Sequence, residues 1–301
     1  MTDFQTLLNE RGVLIADGAT GTNYFALGLE TGYPPELWNI EHPARVKGLH
    51  RQFLDAGSDL ILTNSFGGTS FRLKLHNAQD RVHELNMAAA TLAREAADEH
   101  ASETGRTVLV AGSMGPTGEL FAPLGPLDHA GAVAGFADQA EALAEGGVDL
   151  LWIETISSLE EVNAALEAAR KTGLKVAATM TFDTAGKSMM GVDPADYARH
   201  VASAGAVALG GNCGVGPAEL MHSILAMQGE MDAAHDTPLI AKGNCGIPEY
   251  RDGAIHYHGS PELMAEYAVL ARDAGVAVIG GGCWANPPPM PPHRPSLFAL
   301  L

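Results

Sequence analysis

Cysteine is scarce. Three residues in 301 are too few for a disulfide framework, and an odd count in a reducing compartment leaves reduced thiols or metal ligands as the readings. No apolar run approaches the roughly 20 residues a membrane-spanning helix needs. The opening MTDFQTLLNERG has neither the basic start nor the apolar stretch of a signal peptide, so a cytoplasmic location away from membranes is expected. Basic residues are also few: 18 Lys and Arg against 36 Asp and Glu give a formal charge of -18, which repels phosphate backbones and anionic lipid headgroups and excludes nucleic acid as an expected partner. Aromatic side chains make up only 6% and do not by themselves single out a binding face. What is abundant is aliphatic: 46% hydrophobic content with no Pro/Ser-rich linker suits a single globular domain over residues 1–301, with a homo-oligomer left open.

Eight runs rich in Val, Ile and Leu end in small or polar residues: VLIADGA from Val13, DLILTNSF from Asp59, TVLVAGSMG from Thr107, DLLWIETI from Asp149, KVAATMTF from Lys175, AVALGGNC from Ala206, PLIAKGNC from Pro238 and VAVIGGGC from Val276. Continuous apolar runs of this length predict parallel strands covered on both faces. Ala-rich segments with helical spacing lie between them, starting near Asp80, Asp128 and Ser158. The last opens as a capping box, with Ser158 and Glu161 expected to satisfy end amides, and closes on Gly173. Eight strands alternating with helices predict an α/β fold, a single (β/α)8 TIM barrel, with an open doubly wound sheet as the alternative.

In a barrel of this kind chemistry sits at the C-terminal strand ends. Those ends carry Asp17, Asn64 with Ser65, Ser113, Glu154, Thr181 with Asp183, Asn212 with Cys213, Asn244 with Cys245, and Cys283. All three cysteines thus fall on the last three strands, where they could form the sulfur face of a tetrahedral zinc site with one position open. The other reading is buried thiols that pack and bind nothing. His256 and His258 lie in GIPEYRDGAIHYHGS, which reads as a long surface loop where histidines are usually solvated.

Taken together, DGATGT (17–22), TNSF (63–66), GSMGPTGE (112–119), WIETI (152–156), GGNCG (210–214) and IGGGC (279–283) resemble the homocysteine S-methyltransferase family, a zinc-dependent barrel group. KGNCGIPEY further resembles its short bacterial, betaine-dependent branch. The resemblance implies Zn2+ as cofactor, with homocysteine bound through sulfur, and it places Cys213 as a ligand. It also implies that Asp17 and Glu154 hold the substrate ammonium, that Gly18, Ala19, Asn64 and Ser65 take the carboxylate, and that Asn212 is a further substrate-binding residue. The implied reaction is methyl transfer from a small onium donor, glycine betaine by preference, to homocysteine, giving methionine. No catalytic side chain is implied beyond the metal-activated substrate thiol. Tyr24, Phe25, Trp38, Phe66 and Phe71 are the aromatic candidates for holding an onium group. Alternative donors are S-methylmethionine, S-adenosylmethionine or a corrinoid protein, and a catalytically impaired amino-acid-binding barrel is the non-enzymatic alternative.

The chain departs from the family at its end. The family's late adjacent cysteine pair is a single Cys283 between Gly282 and Trp284, and ANPPPMPPHRPSL holds too many prolines for the helix expected after the eighth strand. The expected metal shell is therefore Cys213, Cys245 and Cys283, with Cys245 replacing the missing thiol. Alternatives are a two-cysteine site completed by water or His293, or loss of the metal.

Overall fold

A computed structural model describes residues 3–230, 236–246, 249–251, 254–256 and 259–282. The eight apolar runs form eight parallel strands: β1 (Leu14–Ile15), β2 (Leu60–Leu62), β3 (Leu109–Met114), β4 (Leu150–Ile156), β5 (Lys175–Met180), β6 (Ala208–Cys213), β7 (Leu239–Gly243) and, after a hairpin of β8 (Glu249–Arg251) and β9 (Ala254–His256), β10 (Val278–Gly281). Neighbours run β2-β3-β4-β5-β6-β7-β10-β1, and a parallel bridge between Ala16 and Leu60 joins the two ends. The sheet is a (β/α)8 barrel.

Alternation along each strand divides the core in two. Leu14, Ala16, Leu60, Leu62, Leu109, Ala111, Leu150, Trp152, Ala177, Ala208, Ile240 and Val278 fill the barrel interior, and Phe4, Leu7 and Leu8 of the first helix join that cluster. The intervening residues, such as Ile61, Val110, Leu151, Ile153, Val176 and Leu209, pack outward against the helices. Both faces are covered, which is why the strands read as continuous apolar runs rather than alternating ones.

Helices over Pro43–Ala56, Val82–Thr104, His129–Glu145, Leu159–Arg170, Pro194–Ser203, Pro217–Glu230 and Pro261–Asp273 make the outer layer. Gly57 ends the first of these in the left-handed region at φ 111°, a conformation that costs a residue with a Cβ. Ser158 caps its helix as expected, accepting from the Glu161 amide (3.2 Å), and Asp128 caps the preceding one, accepting from the Gly131 amide (2.7 Å). The capping box is only half made. The Glu161 carboxylate instead accepts from the Thr117 amide (2.8 Å) and hydroxyl (2.6 Å), because the loop after β3 passes over this helix end with an amide to satisfy.

The segment read as a long surface loop contains the antiparallel pair β8–β9. An Asp-Gly dipeptide at 252–253 between two β-prone triplets was the available hairpin signal. The expected irregularity after the eighth barrel strand falls on residues 283–301, outside the described residues. Among the described residues no helix is long and apolar enough to cross a membrane.

Two carboxylates fasten the short β1 to β2. Asp59 Oδ2 accepts from the Ile15 amide and Asp17 Oδ2 from the Leu62 amide, both at 2.8 Å. Arg11 and Arg106 pair with the same buried Asp59 from outside.

Candidate active site

The C-terminal strand ends surround a cavity of about 510 Å3. Gly18, Ala19, Thr63, Asn64, Ser65, Ser113, Glu154, Thr155, Cys213, Lys242 and Gly282 form the strand-end part of its wall. Phe25, Tyr33, Pro34, Pro35, Glu36, Phe66, Arg72 and His76 form the part contributed by the loops after β1 and β2.

At the ends of β4 and β6 the chain turns sharply. Thr155 (φ 63°) and Cys213 (φ 60°) both take the left-handed conformation, which is uncommon without glycine and costs more for a β-branched threonine. Asn212 ties the two together. Its Oδ1 accepts from the Thr155 amide (2.9 Å), and its Nδ2 donates to Thr155 Oγ1 (2.7 Å) and to the Cys213 sulfur (3.3 Å). Thr155 Oγ1 is itself 3.9 Å from that sulfur. Donors converging on a thiol suit a sulfur that carries negative charge, as a metal-bound thiolate does.

Glu154 is buried, and Oε1 accepts from Ser113 Oγ at 2.5 Å. Burial pushes its pKa above the ordinary carboxylate value, against the opposing pull of Lys242 and Ser113. Lys242, 7% exposed, stands 3.3 Å from both Asp17 Oδ1 and the Gly18 carbonyl. Burial alone would lower its pKa, but the charges of Asp17, Glu154 and Cys213 outweigh burial and hold the ammonium above its usual value.

The expected residues therefore separate by position. Gly18, Ala19, Asn64, Ser65, Glu154 and Cys213 lie on the cavity wall; Asp17 and Asn212 stand behind it, paired to Lys242 and to Thr155 with Cys213. Cys245 is 4% exposed and packs in the core between the sheet and the helices. Cys283 and His293 lie outside the described residues, as does His258. No group of three His, Cys, Asp or Glu side chains suited to a metal gathers among the described residues, of which Cys283 is not one. Gly282 is closely enclosed: a Cβ there would fall 2.2 Å from Asn244 Oδ1, so a second thiol at this position would displace Asn244.

Of the aromatic candidates, Phe25 and Phe66 reach the cavity wall. Tyr24 and Trp38 are buried against each other, with ring centroids 5.4 Å apart, and Phe71 packs on the core. Sequence reasoning passed over Lys242, Thr155, Tyr33, Glu36 and Arg72. Lys242 had a signal: a lysine inside the apolar run PLIAKGNC has to find a counter-charge once the strand is buried.

The profile of the family described as homocysteine S-methyltransferase matches residues 14–289. The chain belongs to the homocysteine S-methyltransferase family. Methionine synthases of Mycobacterium tuberculosis and Mycobacterium leprae are 29% and 27% identical to this family member over 95% of its length. The chain spans about a quarter of each of those relatives, 24%. Among solved structures, the metallated form of the homocysteine methyltransferase MmuM from Escherichia coli superposes with a TM-score of 0.78 at 25% identity, covering 94% of this chain and 96% of that one. The carboxyl transferase domain of Rhizobium etli pyruvate carboxylase, at 16% identity and TM-score 0.52 over 93% of this chain and 42% of that one, shares the fold alone.

Proposed function

We propose that this chain transfers a methyl group to the thiol of homocysteine, giving methionine, with glycine betaine as donor and zinc as cofactor. One observation carries the reading: in a member of this family, a hydrogen-bonded cysteine sulfur and a buried carboxylate, Cys213 and Glu154, share the wall of one strand-end cavity. The carboxylate is suited to the substrate ammonium, and Ser113 fixes its orientation through Oε1.

The donor set fits zinc in its chemistry, since thiolates are preferred zinc ligands and the Asn212 amide stabilises an anionic Cys213. Cys213 is the proposed first ligand and Cys283 the second; Cys245, packed in the core and off the cavity wall, would have to turn toward the cavity to be the third. When bound, zinc lowers the pKa of a coordinated thiol, so that a thiolate exists at neutral pH. The chain's own residues position the reactants: Glu154 takes the ammonium, and the turn at Thr155, Asn212 and Cys213 fixes the sulfur. Attack of the thiolate on the methyl carbon forms the S–C bond as the onium N–C bond breaks. The leaving amine departs neutral, so no proton is needed by it.

The loop part of the wall favours a donor with both an onium and a carboxylate. Phe25, Tyr33 and Phe66 offer aromatic faces, worth about 0.5 to 2 kcal/mol each for a cation, and Arg72 offers a guanidinium to an acid. S-methylmethionine has both groups as well and is the alternative donor. The test is to incubate zinc-loaded protein with homocysteine and each donor and to quantify methionine. Product with glycine betaine above all other donors is expected; binding of homocysteine without product from any donor would favour the impaired barrel instead.

A further inference from the structure

We infer that the Thr155 hydroxyl is a hydrogen-bond donor to the acceptor sulfur, a contact that separates the thiolate of the substrate from the thioether of the product. This rests on the reading of the cavity as a homocysteine site and adds a residue that acts at its sulfur end.

Alternation along β4 breaks before the strand ends. Trp152 points into the barrel and Ile153 outward against the helices, so an unbroken strand would turn Glu154 in, Thr155 out and Ile156 in. Ile156 instead packs outward with Ile153. The pairing with β5 shows the same extra residue: Ile153 lies opposite Ala178 and Ile156 opposite Met180, three steps along one strand against two along the other. Thr155, at φ 63°, is the bulged residue. The bulge brings two successive side chains, Glu154 and Thr155, to the cavity wall. Glycine would take this φ without strain, whereas a β-branched residue takes it at a cost, and a strained residue kept at the wall of a cavity points to a use for its side chain.

What that side chain offers is a proton. Of the other hydroxyls on the strand-end wall, Ser65 donates to the Ser113 carbonyl (2.7 Å), Thr63 is left to donate to Ser65 (2.6 Å), and Ser113 donates to Glu154. Thr155 Oγ1 accepts from Asn212 Nδ2 at 2.7 Å, and among the described residues the acceptor within reach of its own proton is the Cys213 sulfur, at 3.9 Å. So long a contact holds the proton weakly. A second sulfur bound beside Cys213 is the better acceptor, since a thiolate is anionic and hydrogen bonds to charged groups are the stronger kind. Once methylated, the same sulfur is a thioether, a weak acceptor, and the bond is given up.

The test is calorimetry of homocysteine and of methionine binding to zinc-loaded protein, beside zinc affinity from chelator competition. Thr155→Val, which keeps the β-branched shape, should bind homocysteine roughly 10-fold more weakly, the effect of one hydrogen bond to a charged group. Its methionine binding should match wild type, and so should its zinc affinity, because Asn212 keeps the backbone amide at 155 and the Cys213 sulfur. Thr155→Ser, which retains the hydroxyl, should bind homocysteine as wild type does. Thr155→Gly, which relieves the backbone, should bind homocysteine as weakly as Thr155→Val and unfold in urea no earlier than wild type. Wild-type homocysteine affinity in Thr155→Val would overturn the inference. A fall in zinc affinity as large as that in homocysteine affinity would also overturn it, by showing that the hydroxyl only props Asn212; earlier unfolding of Thr155→Gly would do so by assigning the threonine to the fold. Wild type that binds homocysteine but forms no methionine would count against the proposed reaction only, since the binding comparison still decides the role of Thr155.

Discussion

At the residue scale, the turn that presents Cys213 depends on a neighbour that never reaches the cavity. Asn212 links two left-handed residues on adjacent-but-one strands, offsetting a conformational cost of about 1 to 3 kcal/mol per residue. Asn212→Ala should weaken zinc binding and kcat/KM by about 10- to 100-fold, the usual effect of losing a partner that orients a metal ligand. Competition titration with a chromogenic chelator measures the first. Glu154 gives a pH signature. Its pKa is raised by burial, so it takes up a proton at a pH above the ordinary carboxylate value of 4.5. On the proposed function the substrate ammonium would lose its partner as pH falls through that point, and KM for homocysteine should rise on the acid side. Glu154→Gln should raise KM by roughly 10- to 100-fold at neutral pH and flatten that acid limb. Glu154 and Cys213 were legible in the sequence because each ends an apolar run in a motif. Lys242 carried a signal as a lysine in an apolar run, but its partner was not legible: Asp17 is 225 positions earlier in the chain and meets it only across β10, which pairs with both their strands.

At the element scale, periodicity and caps were sufficient where a segment's fate is local. The helix from Leu159 to Arg170 begins at Ser158, and removal of that hydroxyl in Ser158→Ala should cost about 1 kcal/mol in urea unfolding. Where a side chain has a tertiary alternative, local pattern misleads: Glu161 left its own helix end for Thr117. The hairpin β8–β9 was missed for a related reason, since three-residue strands carry too little periodicity to separate from a loop. Helix Pro43–Ala56 buries His50, whose pKa burial holds down at about 4 against an ordinary 6.5. Above pH 6.5 the imidazole is neutral whether folded or unfolded. Between there and about 4 only the unfolded chain takes the proton, so stability should fall with pH by up to about 3 kcal/mol from this group. His50→Leu should remove that part of the acid slope in denaturation curves at pH 7.5 and 4.5.

At the scale of the whole molecule, the barrel was evident from eight apolar runs, but its closure was not. The seam is made by β1 and β2, two and three residues long, and two buried carboxylates supply what so short a ladder lacks. Asp59→Ala would leave the Ile15 amide and the flanking Arg11 and Arg106 without their partner, and a loss of roughly 3 kcal/mol is expected in thermal or urea unfolding. Asp17 and Lys242 meet across β10, which pairs with both β1 and β7, so the contact is made by strands far apart in the chain. The central claim is that this closed rim binds homocysteine and methylates its thiol. Methionine formation from homocysteine and glycine betaine by the zinc-loaded protein tests it most directly. The account predicts methionine in proportion to enzyme, lost in Cys213→Ala; a zinc-loaded protein that forms no methionine with any donor would contradict it.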